Sequence, residues 1–73
     1  MIIYKWVRFK GAVTDNRVNL TNLSSYVHVK QGENDNISFY YDTGVEIKIS
    51  FINNDMALDA YNLLDELLAV EAI

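Results

Sequence analysis

The stretch from Ile37 to Phe51 constrains the fold more than any other part of the chain. Apolar residues hold one parity there, first Ile37, Phe39 and Tyr41, then Val45, Ile47, Ile49 and Phe51. Only Asp42-Thr43-Gly44 interrupts them. Successive strand side chains point to opposite faces, so this alternation gathers the apolar set on one side of a sheet. The interruption suits a tight reversal, because aspartate bonds its own backbone and glycine takes positive φ without a Cβ clash. The segment is expected to be an antiparallel hairpin.

Weaker alternation precedes it. Residues 2–10 set Ile3, Lys5, Val7 and Phe9 against Tyr4, Trp6, Arg8 and Lys10, which predicts a strand. Gly11 and Thr14-Asp-Asn-Arg17 supply turn residues, and Val18 and Leu20 add a short strand. A further strand runs from Tyr26 to Lys30, followed by a polar loop, Gln31 to Asn36. After the hairpin the period changes. Asn53 or Asn54 can cap a helix, and Asp55 then sits in the first turn, where the macrodipole favours an anion. From Asp55 to about Val70 there is no Gly or Pro. At 100° per residue Met56, Ala57, Ala60, Tyr61, Leu63, Leu64, Leu67 and Leu68 share one broad arc.

Strands first and a helix last, in 73 residues, predict a single domain over 1–73 of the α+β class. The expected architecture is an antiparallel meander sheet of three to five strands with one C-terminal helix packed on one face. A chain this short buries only about 60% of its unfolded surface. Without cysteine it has no disulfide or thiolate metal site to reinforce it. Lys5, Arg8 and Lys10 break up the apolar start too early for a signal peptide or a membrane span, so a cytoplasmic protein is expected.

One helix covers one face. The parity expected to meet it is Ile3, Val7, Phe9, Val27, Val29, Ile37, Phe39, Tyr41, Val45, Ile47, Ile49 and Phe51, with Lys5 snorkelling at an edge. The other face then carries Tyr4, Trp6, Arg8, Lys10, Tyr26, His28, Lys30, Ser38, Tyr40, Glu46 and Lys48. Charge is divided along the chain as well. Residues 1–30 hold five basic groups against one acid, and residues 31–73 hold nine acids against one base.

Catalysis finds no support in these residues. His28 is the only histidine, so neither a familiar metal site nor a Ser-His-Asp cluster can be assembled. Glu33 and Asp35 are too few for a calcium loop, and the isolated glycines form no phosphate cradle. A non-enzymatic chain with no cofactor and no small-molecule substrate is expected. Two surfaces remain. Tyr4, Trp6, Arg8, Tyr26 and Tyr40, without a roof, are expected to bind a protein or a second copy, since Trp, Tyr and Arg are favoured interface anchors. The same mixture of aromatic and basic groups could stack and neutralise single-stranded nucleic acid, although the net charge of −4 opposes this. The second surface is the helix stripe Asp55, Asp59, Asn62 and Glu66, which lacks lysine at i+4 and could dock on a cationic protein. The proline-free composition, rich in Asn, Asp and Ile, resembles that of accessory proteins of phages and mobile elements.

Overall fold

The structure, a computed structural model, describes residues 5–31 and 34–73. Among the described residues five antiparallel strands form two sheets, and a C-terminal helix packs against the larger one. β1 (Trp6–Arg8) pairs with β2 (Arg17–Asn19) in a short ribbon. β3 (Leu23–Gln31), β4 (Asn34–Tyr41) and β5 (Glu46–Phe51) form a three-stranded meander with β4 in the centre. The α+β class and the antiparallel sheet are those expected, with the strands divided two and three.

The β4–β5 hairpin forms as its alternation requires. The Tyr41 N–H donates to the Val45 carbonyl (3.0 Å), the Gly44 N–H donates to the Tyr41 carbonyl (2.9 Å), and Gly44 takes φ +87°. Ile37 stands opposite Ile49, and Phe39 opposite Ile47. Ile37, Phe39, Ile49 and Phe51 are buried to within a few per cent. Above them lie the ribbon and the helix. Phe9, which follows β1, stacks on Phe39 with ring centroids 5.9 Å apart and meets Phe51 edge-on at 5.8 Å. In the ribbon Val7 pairs with Val18 on the inner side, where Val18 is fully buried, while Trp6 and the Arg8–Arg17 pair face outward.

The ribbon is tied to the outer edge of β5. Val13 N–H donates to Ser50 O, and Ile52 N–H to Gly11 O, both at 2.8 Å. Gly11 allows this approach. It takes φ +80°, and a Cβ there would lie 2.6 Å from Met56 Cγ. At the hairpin end, Tyr41 Oη donates to the Asn19 carbonyl at 2.7 Å.

The helix α1 (Asn54–Leu67) begins at Asn53, whose Oδ1 accepts from the Met56 N–H at 2.9 Å. It ends in a left-handed residue, Ala69 (φ 52°), with Val70 N–H donating to Asp65 O and Ala69 N–H to Glu66 O. That 6→1 and 5→2 pattern satisfies the last carbonyls and stops the helix three residues before the expected Val70.

Four expectations are corrected. The polar run Gln31–Asn36 is not a loop throughout: β3 continues to Gln31 and β4 begins at Asn34, with Gly32 and Glu33 outside the described residues. Asp35 and Asn36 are buried in β4, which costs little because they have partners. Asn36 Oδ1 accepts from Ser50 Oγ at 2.6 Å, and Asp35 Oδ1 lies 3.3 Å from His28 Nε2.

The faces of β3 are also reversed. Leu23 stands opposite Tyr41 but Ser25 opposite Tyr40, so β3 has one extra residue there. Such a bulge exchanges the two faces of everything downstream. Leu23 points into the core before it. After it Tyr26 and His28 point inward, and Val27 and Val29 outward.

The third correction concerns the apolar arc of α1. Only Ala57, Ala60 and Leu64 are buried, with Tyr61 half-buried; Met56, Leu63, Leu67 and Leu68 are exposed. Alanines form the line of closest approach, so the larger side chains flank the contact. Val45 and Ile47, expected in the core, are exposed at the hairpin end.

Candidate binding surfaces

The aromatic surface expected from the alternation is not assembled as one patch. Tyr4 lies outside the described residues. Trp6 and Arg8 sit on the outer side of the ribbon, whereas Tyr40 lies on the uncovered face of the three-stranded sheet. Tyr26 is beneath the helix. Its hydroxyl donates to Asp65 Oδ1 at 2.6 Å, and its ring meets Tyr61 edge-on at 5.4 Å. Burial first, then the hydrogen bond and charge of Asp65, raise the Tyr26 pKa well above the ordinary phenol value. Burial likewise raises that of Tyr41. His28 is also turned inward, between Asp35 and the Tyr61 ring.

The uncovered sheet face keeps Ser38, Tyr40, Glu46 and Lys48 where the alternation puts them, but takes Val27 and Val29 from β3 in place of Tyr26 and His28. Ser38 stands between Val27 and Lys48, Asn36 between Val29 and Ser50, and Tyr40 opposite Glu46. Small polar side chains of β4 are sunk between the valines of one neighbour and the lysine and serine of the other. The acidic stripe is fully displayed. Asp55, Asp59, Asn62 and Glu66 are all exposed, and none takes part in an ion pair among the described residues.

A groove that sequence reasoning missed lies between β1 and α1. Arg8, Phe9 and Lys10 form one wall, and Met56, Asp59, Ala60 and Leu63 the other, around about 540 Å³. Leu67 extends the apolar line beyond it, because positions 56, 60, 63 and 67 follow the 3–4 spacing of one helix flank. Apolar surface fills the groove, with Arg8 and Lys10 on one lip and Asp59 on the other. The signal was the width of the apolar arc. Eight residues on one side of the helix are more than a three-stranded sheet can cover, so part of the arc has to lie over its margin.

A second, shallower hollow of about 290 Å³ is bordered by Trp6, Arg17, Asn19, Tyr41, Val45 and Ile47. It brings the tryptophan beside the apolar end of β5, on the outer side of the ribbon. Arg8 and Arg17 share Asp15 at 3.5 and 3.7 Å, with every partner well exposed, so these ion pairs add little to stability.

No family model, curated protein or solved structure matches the chain. Among the described residues no group of three His, Cys, Asp or Glu side chains is placed to hold a metal ion. No described helix is long and apolar enough to cross a membrane.

Proposed function

We propose that this chain is a small non-catalytic protein-binding module that receives an apolar segment of a partner in the groove between β1 and α1. One observation carries this reading: Met56, Leu63 and Leu67 line one helix flank yet remain 37–47% exposed beside the buried Phe9. Large apolar side chains arranged in a continuous line, with charged lips, are the usual makings of a recognition groove. The lips would orient the partner, because Arg8 and Lys10 on one side and Asp59 on the other have opposite sign. The acidic stripe continues from Asp59 to Glu66 and would meet cationic groups flanking the apolar segment.

Leu63→Glu tests this. The side chain lies outside the core, so the variant should fold with its melting temperature nearly unchanged. Affinity capture from the native host with the parent chain and the variant should then differ by the loss of a discrete partner. An identical set of captured proteins refutes the groove as the site.

A second reading rests on the ribbon. Trp6 is 64% exposed there, beside the cross-strand pair Arg8 and Arg17, a combination suited to stacking a base and holding phosphates. Trp6 is the only tryptophan, so its fluorescence reports the contact. Quenching by a single-stranded oligonucleotide that weakens as salt rises supports this reading, and no quenching at low salt ends it.

A further inference from the structure

The two long edges of the three-stranded sheet are treated differently. On the β5 side, Ser50 O and Ile52 N–H are taken by Val13 and Gly11. β3 has no such cover: among the described residues no strand pairs with its outer edge. The hydrogen bonds fix which groups that edge presents. Tyr41 N–H points to β5, so the odd-numbered main-chain groups of β4 face β5 and the even-numbered ones face β3. Asn36, Ser38 and Tyr40 therefore bond to Val29, Val27 and Ser25, their partners in the register. The N–H and C=O groups of Tyr26, His28 and Lys30 are left pointing out of the sheet, with no strand paired to them among the described residues.

An uncovered edge invites another strand, and folded proteins usually blunt it with charges, proline or a bulge. The bulge of β3 lies at its start, between Leu23 and Ser25, and leaves the remainder straight. From Tyr26 to Gln31 the only charged residue is Lys30, and there is no proline. We propose that β3 pairs with β3 of a second copy, antiparallel about a two-fold axis at His28, joining the two sheets into one of six strands.

The strand is complementary to itself in that register. Each His28 exchanges both main-chain bonds with its counterpart, and each Tyr26 does so with the other copy's Lys30, about six bonds in all. On the open face Val27 meets the other copy's Val29, and Val29 its Val27. Valines now 39% and 37% exposed become one four-residue apolar strip. Lys30 faces a tyrosine; an axis at Lys30 would set two lysines together. The helices leave room. α1 packs over all three strands, centred on β4, which puts the two helix axes about 14 Å apart at the usual strand spacing. Packed helices approach to about 8–10 Å, so they do not collide. This interface is separate from the groove, and either can fail without the other.

Sedimentation at high micromolar concentration should give twice the 8.4 kDa mass of the chain. A double variant, Val27→Lys with Val29→Lys, places four lysines on the joined strip and should sediment as a monomer with the parent's circular dichroism. His28→Cys gives an independent readout. Directly opposed residues of a hydrogen-bonded pair have Cα atoms about 5.5 Å apart, which is within disulfide range. That variant should oxidise to a covalent dimer, whereas Lys48→Cys, on the other outer strand, should not. A parent that remains monomeric overturns the proposal. So does a dimer that survives both lysines and leaves the His28→Cys variant unlinked.

Discussion

The two faces of the three-stranded sheet are made from the same three strands, yet they behave as different materials. On the covered face Ile37, Phe39, Ile49 and Phe51 meet Phe9, Val18 and Leu64, and almost nothing of them reaches solvent. On the open face the central strand carries Asn36 and Ser38, small polar groups lodged between Val27 and Val29 on one side and Lys48 and Ser50 on the other. Apolar cohesion is therefore confined to one side, and the small core is closed by a ribbon and a helix that each supply only part of the roof. What they do not cover, Met56, Leu63 and Leu67 at the groove and Val27 and Val29 beneath, is the surface available for partners.

If the covered face holds the fold together, truncation there should cost far more than truncation on the open face. Phe39→Ala removes the ring against which Phe9 stacks and should destabilise by about 3–5 kcal/mol, read from urea unfolding. Val29→Ala, one strand away on the open face, should cost about 1 kcal/mol or less, measured where the chain is monomeric. Equal costs would break the contrast.

The margins of the covered face are polar, and alkali should expose them. Tyr26 and Tyr41 have folded pKa values raised above 10.0, so the folded state favours the neutral phenols. The unfolded chain loses those protons first. The stability they supply is thus fully present below about pH 10 and is lost as pH rises through the folded values. Tyr26→Phe and Tyr41→Phe together should flatten this alkaline decline. An unchanged decline would remove both hydroxyls from the account.

At the helix start, Asn53→Ala removes the Oδ1 that holds the Met56 N–H and should cost about 1 kcal/mol. This loosens the first turn, where Met56 lies over Gly11, and sharpens the distinction between helix formation and sheet cohesion.

Much of this architecture was readable in the residues. The hairpin followed from strict alternation around Asp42-Thr43-Gly44, and the helix from its cap and period, because both signals are local. The exposure of Trp6 also agreed with its parity. What the alternation could not reveal was the bulge after Leu23: Val27 and Val29 look like core residues, and Tyr26 and His28 look like surface. Their inward placement depends on partners far along the chain, Asp65 and Tyr61 on α1, and Asp35 on β4. The burial of Asp35 and Asn36 was hidden for the same reason. Nor could periodicity tell that Ala57 and Ala60 would form the contact line, leaving the groove leucines beside it.

β3 turns Tyr26 and His28 under the helix, and the bond from Tyr26 to Asp65 spans 39 positions of sequence to secure this placement. A double-mutant cycle with Tyr26→Phe and Asp65→Ala, read by equilibrium unfolding near neutral pH, measures that link. The two losses should fail to add by about 1 kcal/mol or more. Losses that add to within about 0.3 kcal/mol would mean that the residues do not meet, and Tyr26 would belong on the open face after all.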